Sequence, residues 1–151
     1  MTLRSRGRAL KVTELKIRKE WLGAKERLQK NRQCVAEQSR EDGILAEQIQ
    51  EAEASLLAIT RPGAIIPADR LAAYQSYIYE KQLQHLDSHE ILLSLENQLA
   101  DAAMECERIE IKIRSIEKKI EEEGKEVRQQ AATEQEQREL CEEILPMMRR
   151  R

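Results

Sequence analysis

The chain has 151 residues, 36% of them charged and only 3% aromatic, with no Phe, five Gly and three Pro. So few aromatics exclude an ordinary thick-cored globular domain, and so few turn residues exclude a many-stranded sheet. Glu, Gln, Leu, Ala, Ile, Lys and Arg dominate, which predicts an all-α protein; no run of 18 apolar residues is present, so no membrane span is expected.

Charge is uneven along the chain. Residues 1–32 carry eleven Lys or Arg against three Glu, a net of +8, and the remaining −10 brings the chain to −2. Such asymmetry suggests a polyanionic or acidic partner at one pole. The opening MTLRSRGRALKV has the Arg-rich, acid-poor composition of a mitochondrial presequence. The apolar pattern of the next segment runs through it, which argues against a cleaved leader. No secretory apolar core is seen, and a cytoplasmic location is expected.

The first predicted helix covers about residues 3–59. Alternating steps of three and four give Leu10, Glu14, Ile17, Trp21, Ala24, Leu28, Asn31, Val35, Gln38, Asp42, Leu45, Ile49, Ala52, Leu56 and Ile59. Eleven of these fifteen are apolar, which is a coiled-coil seam. Asn31, Gln38 and Asp42 form a polar middle, the expected loosest stretch. The break falls at residues 60–69, TRPGAIIPAD, where Pro62-Gly63 signals a turn and Pro67 stops any helix entering it. Asp69 is the expected N-cap of the second helix.

The second helix is predicted over about residues 70–148. Its seam runs Leu71, Tyr74, Ile78, Lys81, His85, Ser88, Leu92, Leu95, Leu99, Ala102, Cys106, Ile109, Ile113, Ile116, Ile120, Glu123 and Val127 in one unbroken register. Sustained seven-residue spacing argues a left-handed coiled coil. Beyond Val127 the register meets Gln130, Glu134 and Gln137, turning apolar again at Cys141, Ile144 and Met148. Pro146 is expected to fray or stop the helix.

A short linker between long helices favours an antiparallel hairpin. At 1.5 Å per residue the helices would be about 85 and about 120 Å long. The fold expected is therefore one elongated antiparallel two-helix coiled-coil hairpin spanning 1–151, its second helix longer than its first. The overhang, about residues 129–151, begins where the seam turns polar. The basic N-terminal segment and the Arg149-Arg150-Arg151 end would share one pole, and the loop would lie at the other.

No phosphate-binding Gly loop, GxSxG or HExxH is present. An enzyme is not expected, and neither is a cofactor. His85 and His89, four apart, share a helix face near Asp87 and Glu90. Two ligands without a third rarely hold zinc, so His85 reads as a seam residue and His89 as surface. Cys34, Cys106 and Cys141 are odd in number and far apart, which fits reduced thiols rather than a disulfide framework. Tyr74, Tyr77 and Tyr79 follow the loop. Tyr74 and Ile78 sit on the seam, Tyr77 flanks it and Tyr79 points outward, so the group serves as core support or as a partner surface. Trp21 should pack near Ile109 and Ile113. Leu15, Leu22, Ile44, Leu86, Ile91 and Leu93 widen the apolar stripe beyond a strict seam, which suggests further helices from a partner or a second copy. The basic first helix is open to three readings: a solvated face, a nucleic-acid contact or docking into an acidic protein cavity.

The segment LKIRKEWLGAKERL (15–28), with Lys16, Arg18 and Lys19, resembles the N-terminal pattern of the YscO/FliJ family of type III secretion proteins. The segment LAAYQSYIYEKQL (71–83), with Tyr74, Tyr77 and Ile78, is similar to the pattern that follows the loop in that family. Length, single break and unequal helices match too, so the resemblance covers nearly the whole chain. It implies a non-enzymatic cytoplasmic stalk or adaptor at the base of the secretion apparatus, leaning toward a virulence injectisome. The basic pole would meet the hexameric export ATPase through Arg4, Arg6, Arg8, Lys11, Lys16, Arg18, Lys19, Arg149, Arg150 and Arg151. The surface near the loop, Leu71, Tyr74, Tyr77, Ile78 and Tyr79, would meet the export gate and substrate chaperones. The chain is expected to be a monomer or weak oligomer. The rival readings are a generic coiled-coil scaffold or dimeric tether, and a nucleic-acid- or ribosome-associated hairpin, although nucleic acid is not the expected partner.

Overall fold

The computed structural model describes residues 2–149 as two helices, α1 (Leu3–Ile59) and α2 (Ala68–Arg149), joined by a short loop. The chain is an all-α helical hairpin. Two compact units divide it: residues 1–23 with 106–151, and residues 24–105.

Helix α1 starts at a side-chain cap. Thr2 Oγ1 accepts a hydrogen bond from the Ser5 backbone N–H at 3.2 Å, satisfying one of the four N–H groups that a helix start leaves unpaired. At the other end the Thr60 N–H and hydroxyl both donate to the Leu56 carbonyl, at 2.9 and 2.8 Å. The loop then turns on Arg61-Pro62-Gly63-Ala64. The Ala64 N–H donates to the Arg61 carbonyl at 3.0 Å, and Gly63 has φ +88°. Pro at the second position and left-handed Gly at the third define a type II turn.

Helix α2 begins one residue before the expected cap. The Pro67 carbonyl accepts from the Arg70 and Leu71 N–H groups at 3.0 and 3.2 Å, so Pro67 occupies the capping position. Asp69 lies inside the first turn, where its carboxylate faces the positive end of the helix dipole. Pro146 also departs from expectation, since α2 continues through it to Arg149. Pro forfeits one backbone bond, but in a last turn fully open to water the freed carbonyl is hydrated rather than stranded.

Within the first unit, α1 and α2 pair antiparallel. The Trp21 indole N–H donates to Glu110 Oε1 at 3.3 Å. Ile109, Ile113 and Ile116 are buried beside it in sequence, as is Cys106. Leu10, Ile17, Ile120 and Val127 are half-buried, and from Arg128 to Arg149 every residue is exposed. Thr2, Leu3 and Arg4 line a groove with Val127, Gln130, Ala131 and Glu134.

Within the second unit, Ala24, Leu28 and Ala52 on α1 and Ile78, Ser88 and Leu92 on α2 are buried. Val35, Leu45, Ile49, Leu56, Leu95 and Leu99 are half-buried. The pairing is again antiparallel, since Asn31 Nδ2 donates to the Gln98 carbonyl at 3.4 Å while Gln38 reaches Ser88.

Candidate functional site

Three surfaces stand out. The first is the basic segment at the start of α1. Arg4, Arg6, Arg8, Lys11, Lys16 and Lys19 are exposed, as is Arg149 on α2. Arg150 and Arg151 lie outside the described residues. Arg18 is different. Its Nε donates to Glu14 Oε1 at 2.9 Å, and its Nη2 donates to Glu117 Oε1 on α2. The hydrogen bond to Glu14 is the main cause that raises the guanidinium above its ordinary pKa. Arg18, expected at the ATPase-facing pole, is exposed like its neighbours and also links α1 to α2.

The second surface follows the loop. Leu71 and Tyr74 are half-buried and Ile78 is buried against α1, whereas Tyr77 and Tyr79 are exposed. Lys81 Nζ lies 5.6 Å from the Tyr77 ring centroid, a cation–π distance that braces the ring. Tyr74 and Tyr77 line an open groove of about 420 Å³ with Ala52, Ser55, Ala73, Arg70, Gln48 and Glu51. Small side chains at positions 52, 55 and 73 leave the room, and the ring faces supply apolar area with a polar tip. Sequence reasoning did not single out Arg70 or Ile65. Ile65, in the loop, is 99% exposed; an Ile-Ile pair after a Pro-Gly turn was its only signal.

The third is the polar middle of the seam. Gln38 bridges to Ser88, and the Asp42 carboxylate faces His85 Nε2 at 3.4 Å and His89 Nδ1 at 3.9 Å. His85 and His89 therefore share a partner on α1 that spacing along α2 could not reveal. Among the described residues, no group of three or more His, Cys, Asp or Glu is arranged to hold a metal ion. All three cysteines are free: Cys106 is buried, while Cys34 and Cys141 are exposed. The exposure of Cys141 accords with its place in the overhang expected beyond Val127. Among the described residues, no helix is long and apolar enough to cross a membrane.

What these surfaces offer chemically is recognition by charge and by aromatic contact. No family model, curated protein or solved structure matches the chain.

Proposed function

We propose that this chain is a non-enzymatic stalk or adaptor of a type III secretion apparatus, acting in the cytoplasm at the base of the machine. Its basic pole binds the hexameric export ATPase. Its loop-side surface, around Tyr77 and Tyr79, binds the export gate and substrate chaperones. The reading rests on the likeness of residues 15–28 and 71–83 to the YscO/FliJ patterns. The observation that best supports it is the first unit, in which exposed Arg and Lys of α1 accompany a stretch of α2, residues 128–149, in which every residue is exposed. A charged, unpacked helical end can enter an acidic cavity without an apolar grip strong enough to lock it there. Long-range charge attraction is screened within about 8 Å at physiological ionic strength, so such contacts exchange readily.

The test is ATP hydrolysis by the cognate hexamer, with and without this chain, at moderate salt. A stoichiometric rise in rate together with hexamer assembly supports the stalk. Replacing Arg149, Arg150 and Arg151 by Ala should weaken ATPase binding. Unchanged hydrolysis and no binding would demote the likeness to shared coiled-coil grammar, and a scaffold role would then lead.

A further inference from the structure

Helix α2 carries a second heptad stripe on the face turned away from α1. Leu83, Leu86, Glu90 and Leu93 follow steps of three, four and three. All four are exposed, while the opposite face buries Ser88 and Leu92. A helix with apolar stripes on two faces has more contact surface than one partner helix covers.

Helix α1 carries the same spacing near its start. Val12, Leu15, Lys19 and Leu22 also step by three, four and three and are exposed, while Ile17 and Trp21 on the inner face are half-buried. The six apolar residues of the two stripes are between 45 and 68% exposed. The third position differs only in sign, Lys19 on α1 and Glu90 on α2. The flanks differ in sign as well. Lys11 and Lys16 border the α1 stripe, whereas Glu80 and Asp87 border the α2 stripe. Between Tyr79 and Met104 the sole Lys or Arg is Lys81, half-buried and bonded through Nζ to Gln84 Oε1 at 3.4 Å.

We propose that these two stripes are the halves of one interface between copies of this chain: Val12–Leu22 of one copy lies parallel on Leu83–Leu93 of another. Parallel alignment sets Val12 on Leu83, Leu15 on Leu86 and Leu22 on Leu93, with Lys19 opposite Glu90. Lys11 then falls at the position from which a parallel coiled coil reaches the residue five further along its partner, here Asp87. Antiparallel alignment sets Lys19 on Leu86 and Glu90 on Leu15, stranding both charges. Two copies of the α2 stripe facing each other would oppose Glu90 and Asp87 to like charge. The interface is heterologous, so each copy keeps one half free for a further copy. Three apolar residues a side make it weak, and the pairs Lys19–Glu90 and Lys11–Asp87 make it salt-sensitive. The proposal is independent of the ATPase reading.

Sedimentation equilibrium of the full chain at low and high salt tests it, with circular dichroism to check that each surface variant stays helical. Self-association should appear at low salt and weaken at high salt. Lys19→Glu or Glu90→Lys alone should each weaken it by about tenfold, since opposed like charges at an interface cost more than a kilocalorie-scale contact returns. The double variant Lys19→Glu/Glu90→Lys should restore it. Leu15→Gln/Leu22→Gln chains mixed with Leu86→Gln/Leu93→Gln chains should form a one-to-one dimer, because each variant supplies the half the other lacks. A chain monomeric at all concentrations, association indifferent to either charge reversal, or a double variant that is not restored would overturn the proposal. Association that survives the Leu variants singly would place the interface elsewhere and overturn it too.

Discussion

Gln38 on α1 donates through Nε2 to both the hydroxyl and the carbonyl oxygen of Ser88 on α2, at 2.9 and 3.2 Å. Ser88 is the buried polar residue of the seam, 7% exposed. A heptad of apolar residues alone tolerates sliding by one repeat. A bonded polar pair at one level does not, because any slip strands two buried polar groups. The pair therefore fixes register at the cost of apolar contact.

Breaking one side of that pair should cost more than removing both. Gln38→Leu leaves the Ser88 hydroxyl without this donor and should destabilise by about 1–2 kcal/mol. Gln38→Leu combined with Ser88→Ala should recover most of that loss. Urea unfolding of the two singles and the double, treated as a thermodynamic cycle, checks it; strict additivity would mean the two side chains do not interact.

The Asp42 carboxylate is mostly buried, and its Oδ1 makes no hydrogen bond, standing 3.4 Å from His85 Nε2. Half-buried ionic groups at a seam position are commonly less stabilising than apolar side chains of similar size. Asp42→Leu/His85→Leu should raise stability by about 1 kcal/mol or more. Thermal unfolding measures it, and a lowered midpoint would show that the cluster stabilises beyond its contacts.

Ile109 is 3% exposed, within the first unit. Ile109→Ala removes three buried carbons and leaves a void that rigid helices close poorly, so a loss of about 2–4 kcal/mol is expected. The same substitution at Ile111, which is exposed, should change stability by less than about 0.5 kcal/mol. Equal effects at the two positions would refute the seam assignment.

Deleting residues 128–151 should leave the unfolding midpoint nearly unchanged, with a stability change within about 0.5 kcal/mol, since every described residue of that stretch is exposed. Helical ellipticity should fall, because the segment contributes turns without contacts. A large drop in stability would mean that the end of α2 packs on the chain after all.

Gly63→Ala forces a side chain into φ +88°, in open space but with an unfavourable backbone. A loss of about 1 kcal/mol is expected, read by urea unfolding. No loss would mean that the turn relaxes to another type.

Much of this architecture was written in residue spacing. Steps of three and four picked out side chains from Leu10 to Ile59 and from Leu71 to Val127, and each is buried or half-buried. The Pro-Gly break and the loss of seam character after Val127 were legible for the same reason: helix formation, turn chemistry and amphipathic period are properties of neighbouring residues. The split among the tyrosines was equally readable, because period alone turns Tyr79 away from the face that holds Tyr74.

The pairing of Trp21 was legible, expected near Ile109 and Ile113 and found bonded to Glu110; the polar pairings between helices were not, because they depend on an offset between residues 43 to 99 apart. Only the tertiary structure set Ser88 against Gln38 and Asp42 between His85 and His89, or tied Arg18 of the basic segment to Glu117. It also decided that α2 continues through Pro146 to Arg149. The widened stripe was visible in sequence as surplus apolar residues. Which of them stayed uncovered was decided by packing, since one partner helix shields only one face.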